Sequence, residues 1–191
     1  MGQRSEQVSL FAALLDEGVE YAVVGGVAVN AHGFVRNTRD LDVFIRPTED
    51  NAKATLRALA TLGAPLEGID HADLLTDYAH DQLSTEHSRV DLLTSIGEMS
   101  FEQVWANRVD ADIDGVTVHF ISKHDLMENR RQIGRLIDLA DAEQLALVPD
   151  GTALQLPPEP SPEPSPEPSK DSPTGVGQEL QSGAHFGANE E

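Results

Sequence analysis

Apolar side chains along the first 148 residues recur with helical spacing in some stretches and with strand spacing in others. The predicted helices cover residues 8–15 before a capping Gly18, then 27–31, 48–62 and 101–105, a stretch beginning after Ser122, and 136–147. The predicted strands cover residues 21–24, 40–45, 90–93, 109–113 and 116–121. Residues 63–84 show no clear pattern.

Local sequence signals support two of these elements. Asp114-Gly115 lies between two strand-like runs and is typical of a type I′ hairpin turn. Ser122, with Asp125 three residues later, resembles a capping box in which Asp replaces Glu at the start of a helix. Together the elements predict an α+β (α/β) fold, a small mixed β-sheet with flanking helices.

The C-terminal segment has a different composition. Residues 157–168 read PPEPSPEPSPEP, which cannot form regular helix or sheet and has little to bury. We therefore divide the chain into a domain over residues 1–148 and a disordered acidic Pro/Glu/Ser-rich tail over residues 149–191. The tail has two interpretations, a spacer or docking segment for a proline-recognising module, or a solvated extension without a specific role.

Charge and composition exclude several classes of function. The formal charge is −20, of which the eight acids and one lysine from Asp150 onward contribute −7, leaving −13 on the rest. An acidic surface repels the phosphate backbone, so tight non-specific nucleic-acid binding is not expected. The chain has no cysteine, so a metal must be bound by oxygen or imidazole. No signal peptide or membrane span is recognisable, and we expect a cytoplasmic protein without a membrane partner.

Three aspartates form a candidate metal site. Asp40 and Asp42 alternate with apolar residues on a predicted strand, so they project from one face, about 6.5–7 Å apart at their Cα atoms. Asp91 has the same setting on a later strand, Val90–Leu93. Two carboxylates so close repel each other unless a cation lies between them, and magnesium prefers such oxygen ligands. The pattern predicts a metal platform at Asp40, Asp42 and Asp91, suited to two-metal phosphoryl chemistry.

Gly25-Gly26 ends the strand before this site. Glycines allow a sharp bend and the close approach of a bulky anion to backbone N–H groups, and a short helix follows. The side chains of Arg36, Thr38 and Arg39, just ahead of Asp40, either contact phosphates or brace the loop.

The order of these motifs resembles a known superfamily. Gly-Gly, thirteen residues, Asp-x-Asp and a later strand Asp are similar to the nucleotidyltransferases of DNA polymerase β type. GGVAVNAHGFVRNTRDLDVFI and the segment from Asp125 to Glu143 resemble small bacterial nucleotidyltransferases that include abortive-infection and toxin–antitoxin members. The resemblance covers about residues 8–147 and implies a nucleotidyltransferase fold.

The resemblance also implies roles for individual residues. Gly25 and Gly26 would hold the nucleotide phosphates, and Asp40, Asp42 and Asp91 would bind two Mg²⁺ ions. Related proteins commonly carry lysine at the position of Arg130, and arginine there can still bind phosphate as a fork. Arg135, Asp138 and Asp141 are interpreted as an exposed charge network on the last helices.

The expected function is transfer of a nucleoside monophosphate from an NTP to a hydroxyl acceptor, with release of pyrophosphate. The acceptor, whether protein, RNA end or small molecule, and the NTP are not specified by the sequence. The alternative is a non-catalytic nucleotide-binding partner, antitoxin-like or inactive, in a toxin–antitoxin or phage-defence pair with a cognate protein.

Overall fold

A computed structural model describes residues 5–38, 40–66, 68–76, 80–84 and 89–156, and of residues 80–84 the backbone alone. The helices are α1 (Glu6–Asp16), α2 (Gly25–Ala31), α3 (Glu49–Thr61), α4 (Phe101–Asn107), α5 (Lys123–Ile133) and α6 (Leu136–Leu147). The strands are β1 (Tyr21–Val23), β2 (Asp40–Ile45), β3 (His80–Ser84), β4 (Arg89–Leu93), β5 (Val109–Ile113) and β6 (Val116–Phe120).

These six strands form one sheet in the order β3-β4-β2-β1-β6-β5. The β2–β4 and β1–β6 pairs are parallel, whereas β1–β2, β3–β4 and β5–β6 are antiparallel. The sheet is therefore mixed and flanked by helices, which confirms the predicted fold class.

Helices cover both faces of the sheet. On one face α1 packs against α3 and β6, and the ring of Phe11 stacks on that of Tyr21 with centroids 6.0 Å apart. On the other face the rings of Phe44 and Phe101 meet edge to face at 5.2 Å, which places α4 over the end of β2. Phe44 shares its strand face with Asp40 and Asp42, because side chains two residues apart point the same way. The aspartates thus lie on the α4 side of the sheet, beyond the part that α4 covers.

The predicted turn and the Ser122 cap are confirmed. Asp114 and Gly115 have φ angles of 51° and 78°, the two positive values that a type I′ turn requires. The Ser122 hydroxyl accepts a hydrogen bond from the Asp125 N–H at 3.1 Å and caps α5.

Two parts of the fold differ from the sequence interpretation. Helix α2 begins at Gly25, two residues before the predicted start, so Gly25 and Gly26 form its first turn. Residues 63–84, which show no clear sequence pattern, contain a 3-10 turn over Asp73–Leu75 and the strand β3.

Part of the predicted tail contacts the domain. Leu154 and Leu156 pack against the hydrophobic core, and the Gln155 N–H donates to the Ala31 carbonyl at 3.3 Å. Residues 157–191, with the Pro-Glu-Pro-Ser repeat, lie outside the described residues, and the predicted domain boundary stays a prediction. Along the described chain, no helix combines the length and apolar character needed to span a membrane.

Candidate active site

The parallel pairing of β2 with β4 brings the three predicted metal-binding aspartates to one face of the sheet. Asp42 lies in register with Asp91, and Asp40 with Arg89. Neighbouring strands are about 4.8 Å apart, and paired residues point to the same face. Asp42 and Asp91 are therefore cross-strand neighbours, with Asp40 two positions along the same face of β2.

Asp42 is the electrostatic centre of this group. Burial raises the pKa of its carboxyl from 3.8 to about 6, and the nearby negative charge of Asp91 adds to the rise. The charge of Arg130 and the Gly26 N–H, which donates to the carboxylate, oppose it, while Asp40 raises it further. A cation among these carboxylates relieves their repulsion, and an all-oxygen donor set suits magnesium. The residues present therefore fit a divalent ion.

The other two aspartates have different surroundings. Asp91 is buried, with 5% of its surface exposed. The Asp40 side chain is 42% exposed, and its Oδ1 lies 3.3 Å from Nε of Arg89 in an ion pair. That oxygen is itself shielded from solvent and has no donor with hydrogen-bond geometry among the described residues, so the ion pair is its compensation. Arg89 is a site neighbour that sequence reasoning missed, since only the strand register places it beside Asp40.

Gly25 and Gly26 admit site side chains to the start of α2. A Cβ on Gly25 would lie 1.7 Å from Oδ2 of Asp42, and the residue has a φ of +66°. A Cβ on Gly26 would lie 2.4 Å from Oγ1 of Thr38 and 3.4 Å from Nη2 of Arg36. The structural reason for the pair is thus the close approach of Asp42, Thr38 and Arg36 to the backbone. Phosphate binding by the two glycines stays a prediction.

The loop that carries Arg36 is held by hydrogen bonds to Asn30, a side chain of α2. Asn30, which is buried, accepts a hydrogen bond from the Arg36 N–H and donates one to the Arg36 carbonyl, each at 2.8 Å. Thr38 contributes a long hydrogen bond from Oγ1 to the Asp40 carbonyl, at 3.4 Å. Asn30 was not predicted as a site residue. Its only sequence signal is its position in the predicted helix, one turn after Gly25-Gly26.

Arg36 is bound by a carboxylate of α6. Its Nε and Nη2 each donate to an oxygen of Asp141 at 2.7 Å, and its Nη1 donates to the Asn37 carbonyl at 3.0 Å. Asp141 is 1% exposed and also lies 3.6 Å from Nε of Arg130. One buried carboxylate is thus shared by two predicted phosphate-binding arginines.

Asp138 completes this network. It accepts from Nη1 of Arg130 at 2.7 Å and from Nε of Arg135 at 2.6 Å. Burial opposes its ionisation, but the hydrogen bond from Arg135 and the charge of Arg130 hold its pKa below the ordinary value. The interpretation of Asp138 and Asp141 as exposed was wrong, since both side chains are buried. Helix α6 packs against α5 and turns these two carboxylates inward, where arginines compensate them.

The network holds three guanidinium groups against two carboxylates, a net charge of +1 in a strongly acidic chain. Arg130 and Arg135 both interact electrostatically with Asp42. A cationic group therefore lies beside the acidic one, as a metal-bound polyphosphate requires.

A separate cavity of about 580 Å³ lies between β5 and the segment after α6. Its described lining includes Asp110, Asp112 and Asp150 but none of the predicted site residues. These carboxylates disfavour an anionic ligand, so this cavity is a poor candidate for the phosphates of a nucleotide.

Among the described residues, a group of side chains away from β2 and β4 has metal-ligand geometry. His124, Asp125 and Glu128 bring three ligand atoms within 4.8 Å of one another at the start of α5. The carboxylate oxygens of the three aspartates on β2 and β4 do not lie as close to one another as the ligand atoms of this group. Their mutual repulsion and the ion pair between Arg89 and Asp40 are consistent with this larger separation. Exposed clusters such as the one on α5 are common without an ion, and we assign it no role.

Several solved structures align with the chain, one of them with a TM-score above 0.5. The lincosamide antibiotic adenylyltransferase LnuA, in its lincomycin-bound crystal structure, aligns with a TM-score of 0.51 at 13% identity, over 78% of this chain and 100% of LnuA. A nucleotidyltransferase-like structure from Thermotoga maritima aligns with a TM-score of 0.49 at 12% identity, over 72% and 88% of the two chains. ANT(2")-Ia with adenylyl-2"-tobramycin gives 0.48 at 15% identity, over 74% and 88%. At these identities the likeness concerns the fold alone.

No curated protein sequence matches the chain significantly. A family model does match, over residues 4–146, which include every predicted site residue. The chain therefore belongs to the family described as nucleotidyl transferase of unknown function (DUF2204), and it is a nucleotidyltransferase.

Proposed function

We propose that the chain transfers a nucleoside monophosphate from an NTP to a hydroxyl acceptor in a magnesium-dependent reaction that releases pyrophosphate. One observation carries the proposal, the placement of Asp42 directly opposite Asp91 on parallel neighbouring strands, with Asp40 on the same face. Three carboxylates on one face, two of them in register, have a strong electrostatic need for a cation.

Asp40, Asp42 and Asp91 would hold the metal, as two Mg²⁺ ions. When bound, the ions neutralise charge on the phosphate oxygens and on the leaving pyrophosphate. Asp42 would be ionised in that state, because a cation favours the charged form of a carboxyl whose pKa burial has raised to about 6.

The reaction itself exchanges two phosphorus–oxygen bonds. The acceptor oxygen bonds to the α-phosphorus of the NTP. At the same time the bond breaks between the α-phosphorus and the oxygen that bridges it to the β-phosphorus, and that oxygen leaves with the pyrophosphate. The acceptor proton passes to a carboxylate oxygen, and Asp91, buried on the site face of β4, is the group we assign to it.

The phosphates would lie on the cationic side of the site. Gly25 and Gly26 offer backbone without Cβ atoms, and Thr38 and Arg36 converge on Gly26. Arg130 adds charge from a buried position. Arginine suits this role because its planar fork recognises phosphate oxygens in pairs.

The charge of the chain supports a proposal for the acceptor class. The acidic chain disfavours an RNA end unless a partner supplies positive charge, and favours a protein side chain or a small cationic molecule. The adenylyltransferase LnuA was solved with lincomycin, and ANT(2")-Ia with an adenylylated tobramycin. Lincomycin and tobramycin are therefore acceptor candidates to include in a test.

The test is incubation with Mg²⁺ and each α-labelled NTP in turn, with cell lysate separated afterwards into protein, RNA and small molecules. Asp42→Asn removes one metal-binding carboxylate, and Asp16→Asn, an exposed position at the end of α1, is its matched control. The proposal expects label on one acceptor class with the native chain and Asp16→Asn, and none with Asp42→Asn. It fails if the native chain labels no acceptor and binds no NTP in a metal-dependent manner. Binding without transfer would favour the non-catalytic alternative.

A further inference from the structure

We propose that Asp141 is a positioning residue, whose carboxylate fixes the Arg36 guanidinium against Gly26 so that Arg36 can recognise the polyphosphate of the NTP. The inference rests on the proposed function and assigns a role to a residue of α6 that makes no direct contact with substrate. It also explains why an aspartate is buried next to a site that binds anions.

The ion pair between Arg36 and Asp141 has a geometry that fixes the guanidinium. Two parallel bonds of 2.7 Å join Nε and Nη2 of Arg36 to the two carboxylate oxygens of Asp141. Such a pair fixes the plane of the guanidinium as well as its position. Asp141 is 1% exposed, whereas the Arg36 side chain is 21% exposed. One edge of the guanidinium is therefore held from inside the protein, while part of the Arg36 side chain stays accessible.

The Arg36 guanidinium has N–H donors to spare for a ligand. A guanidinium has five N–H groups. Within the described part of the chain three of those on Arg36 are used, two by Asp141 and one by the Asn37 carbonyl. Two N–H groups therefore remain for the oxygens of a ligand.

Arg36 is held next to Gly26, at the start of α2. Its Nη2 lies 3.4 Å from the position that a Cβ on Gly26 would take, so it sits directly over the start of α2. Asn30 fixes the backbone of Arg36 from the same helix, with both hydrogen bonds at 2.8 Å. Backbone and side chain are thus fixed separately, which is how a binding group is preorganised.

An ion pair with a purely structural role would only tie α6 to the loop before β2. The two roles differ in what they predict for phosphate recognition. A positioning role ties Asp141 to discrimination between triphosphate and monophosphate, because Arg36 would contact the phosphates beyond the α position. A structural role affects the stability of the fold and leaves that ratio unchanged.

The experiment measures binding of ATP, GTP, CTP and UTP, and of the four monophosphates, with Mg²⁺ by calorimetry. The variants are Asp141→Asn, Asp141→Glu and Arg36→Lys, with Asp125→Asn as control. Asp125 is equally buried, at 1% exposed, on the neighbouring helix, and its charged partner among the described residues is His124 rather than an arginine. Thermal melting of each variant establishes that it is folded.

We expect Asp141→Asn to lower the ratio of NTP to NMP affinity at least tenfold. Asp141→Glu should retain part of the native ratio, and Asp125→Asn should leave the ratio unchanged. Arg36→Lys keeps the charge, loses the fork and should lower the ratio similarly, so the inference stays testable if Asp141→Asn does not fold. A folded Asp141→Asn or Arg36→Lys variant with the native ratio overturns the inference and leaves the proposed function intact. A native chain that binds no NTP overturns both.

Discussion

Asp42 on β2 lies directly opposite Asp91 on β4, in a pair of parallel strands inside a mixed sheet. Two carboxylates in register on one face, one of them almost fully buried, destabilise the fold unless a proton or a cation intervenes. The same contact that serves the proposed chemistry should therefore have measurable consequences for stability.

The first prediction concerns pH. The pKa of Asp42 is raised from 3.8 to about 6, so between these values the folded chain binds more protons than the unfolded one. The stabilisation from its protonated form is complete below the unfolded value and is lost as pH rises through about 6. Asp42→Asn should remove this loss and raise the free energy of unfolding at pH 8 by at most about 3 kcal/mol. Urea unfolding from pH 4 to 8 with a chelator measures it.

Asp16→Asn is the control for this titration, because Asp16 is an exposed carboxylate. At pH 8 its difference in stability from the native chain should be small compared with that of Asp42→Asn. A constant difference between the native chain and Asp42→Asn over the same range would contradict the assigned pKa.

The second prediction concerns metal binding. Mg²⁺ should stabilise the native chain by mass action, by about 1.4 kcal/mol at ten times its dissociation constant. The effect should shrink below pH 6, because protons compete for Asp42. Asp42→Asn and Asp91→Asn should lose most of it, whereas Glu128→Gln, in the cluster on α5, should keep it. Thermal melting against Mg²⁺ concentration measures these effects, and loss with Glu128→Gln would move the metal to α5.

The third prediction concerns the first residue of α2. Gly25→Ala forces a β-carbon to within 1.7 Å of Oδ2 of Asp42 in a backbone with φ of +66°. Gly18→Ala is the matched control, since Gly18 has φ of +68° and nothing within 4 Å of its added Cβ. Both variants incur a left-handed backbone penalty of about 1–2 kcal/mol. Only Gly25→Ala should also displace Asp42 and abolish stabilisation by Mg²⁺, which melting with and without the ion would show.

The sequence predicts the aspartates better than it predicts their surroundings. Asp40 and Asp42 share a face because of the strand period alone, but the register that sets Asp91 opposite Asp42 depends on which strands pair. The three-residue spacing of Asp138 and Asp141 puts them on one side of α6, yet only packing against α5 decides that this side is buried. Strand β3 was missed because its polar residues lack the apolar alternation by which strands are recognised.

The last prediction concerns the arginine network. Asp138 is fully buried between Arg130 and Arg135, so Asp138→Asn leaves Arg130 short of a buried counter-charge. Breaking such a pair costs about 3–5 kcal/mol, whereas an exposed pair contributes about 0–1 kcal/mol. Glu17→Gln breaks the exposed pair with Arg57 and is the control. Urea unfolding at pH 7 should show the large loss for Asp138→Asn alone.

This loss should also depend on pH in the opposite direction to that of Asp42. The arginines hold the pKa of Asp138 below its ordinary value, so its stabilisation is present above the unfolded pKa and disappears as pH falls through the folded one. The native chain and Asp138→Asn should therefore converge in stability under acid. The two carboxylates differ because Asp42 faces other carboxylates across the strands, whereas Asp138 faces two guanidinium groups. Equal losses at pH 7 and in strong acid would mean that Asp138 contributes through packing rather than charge.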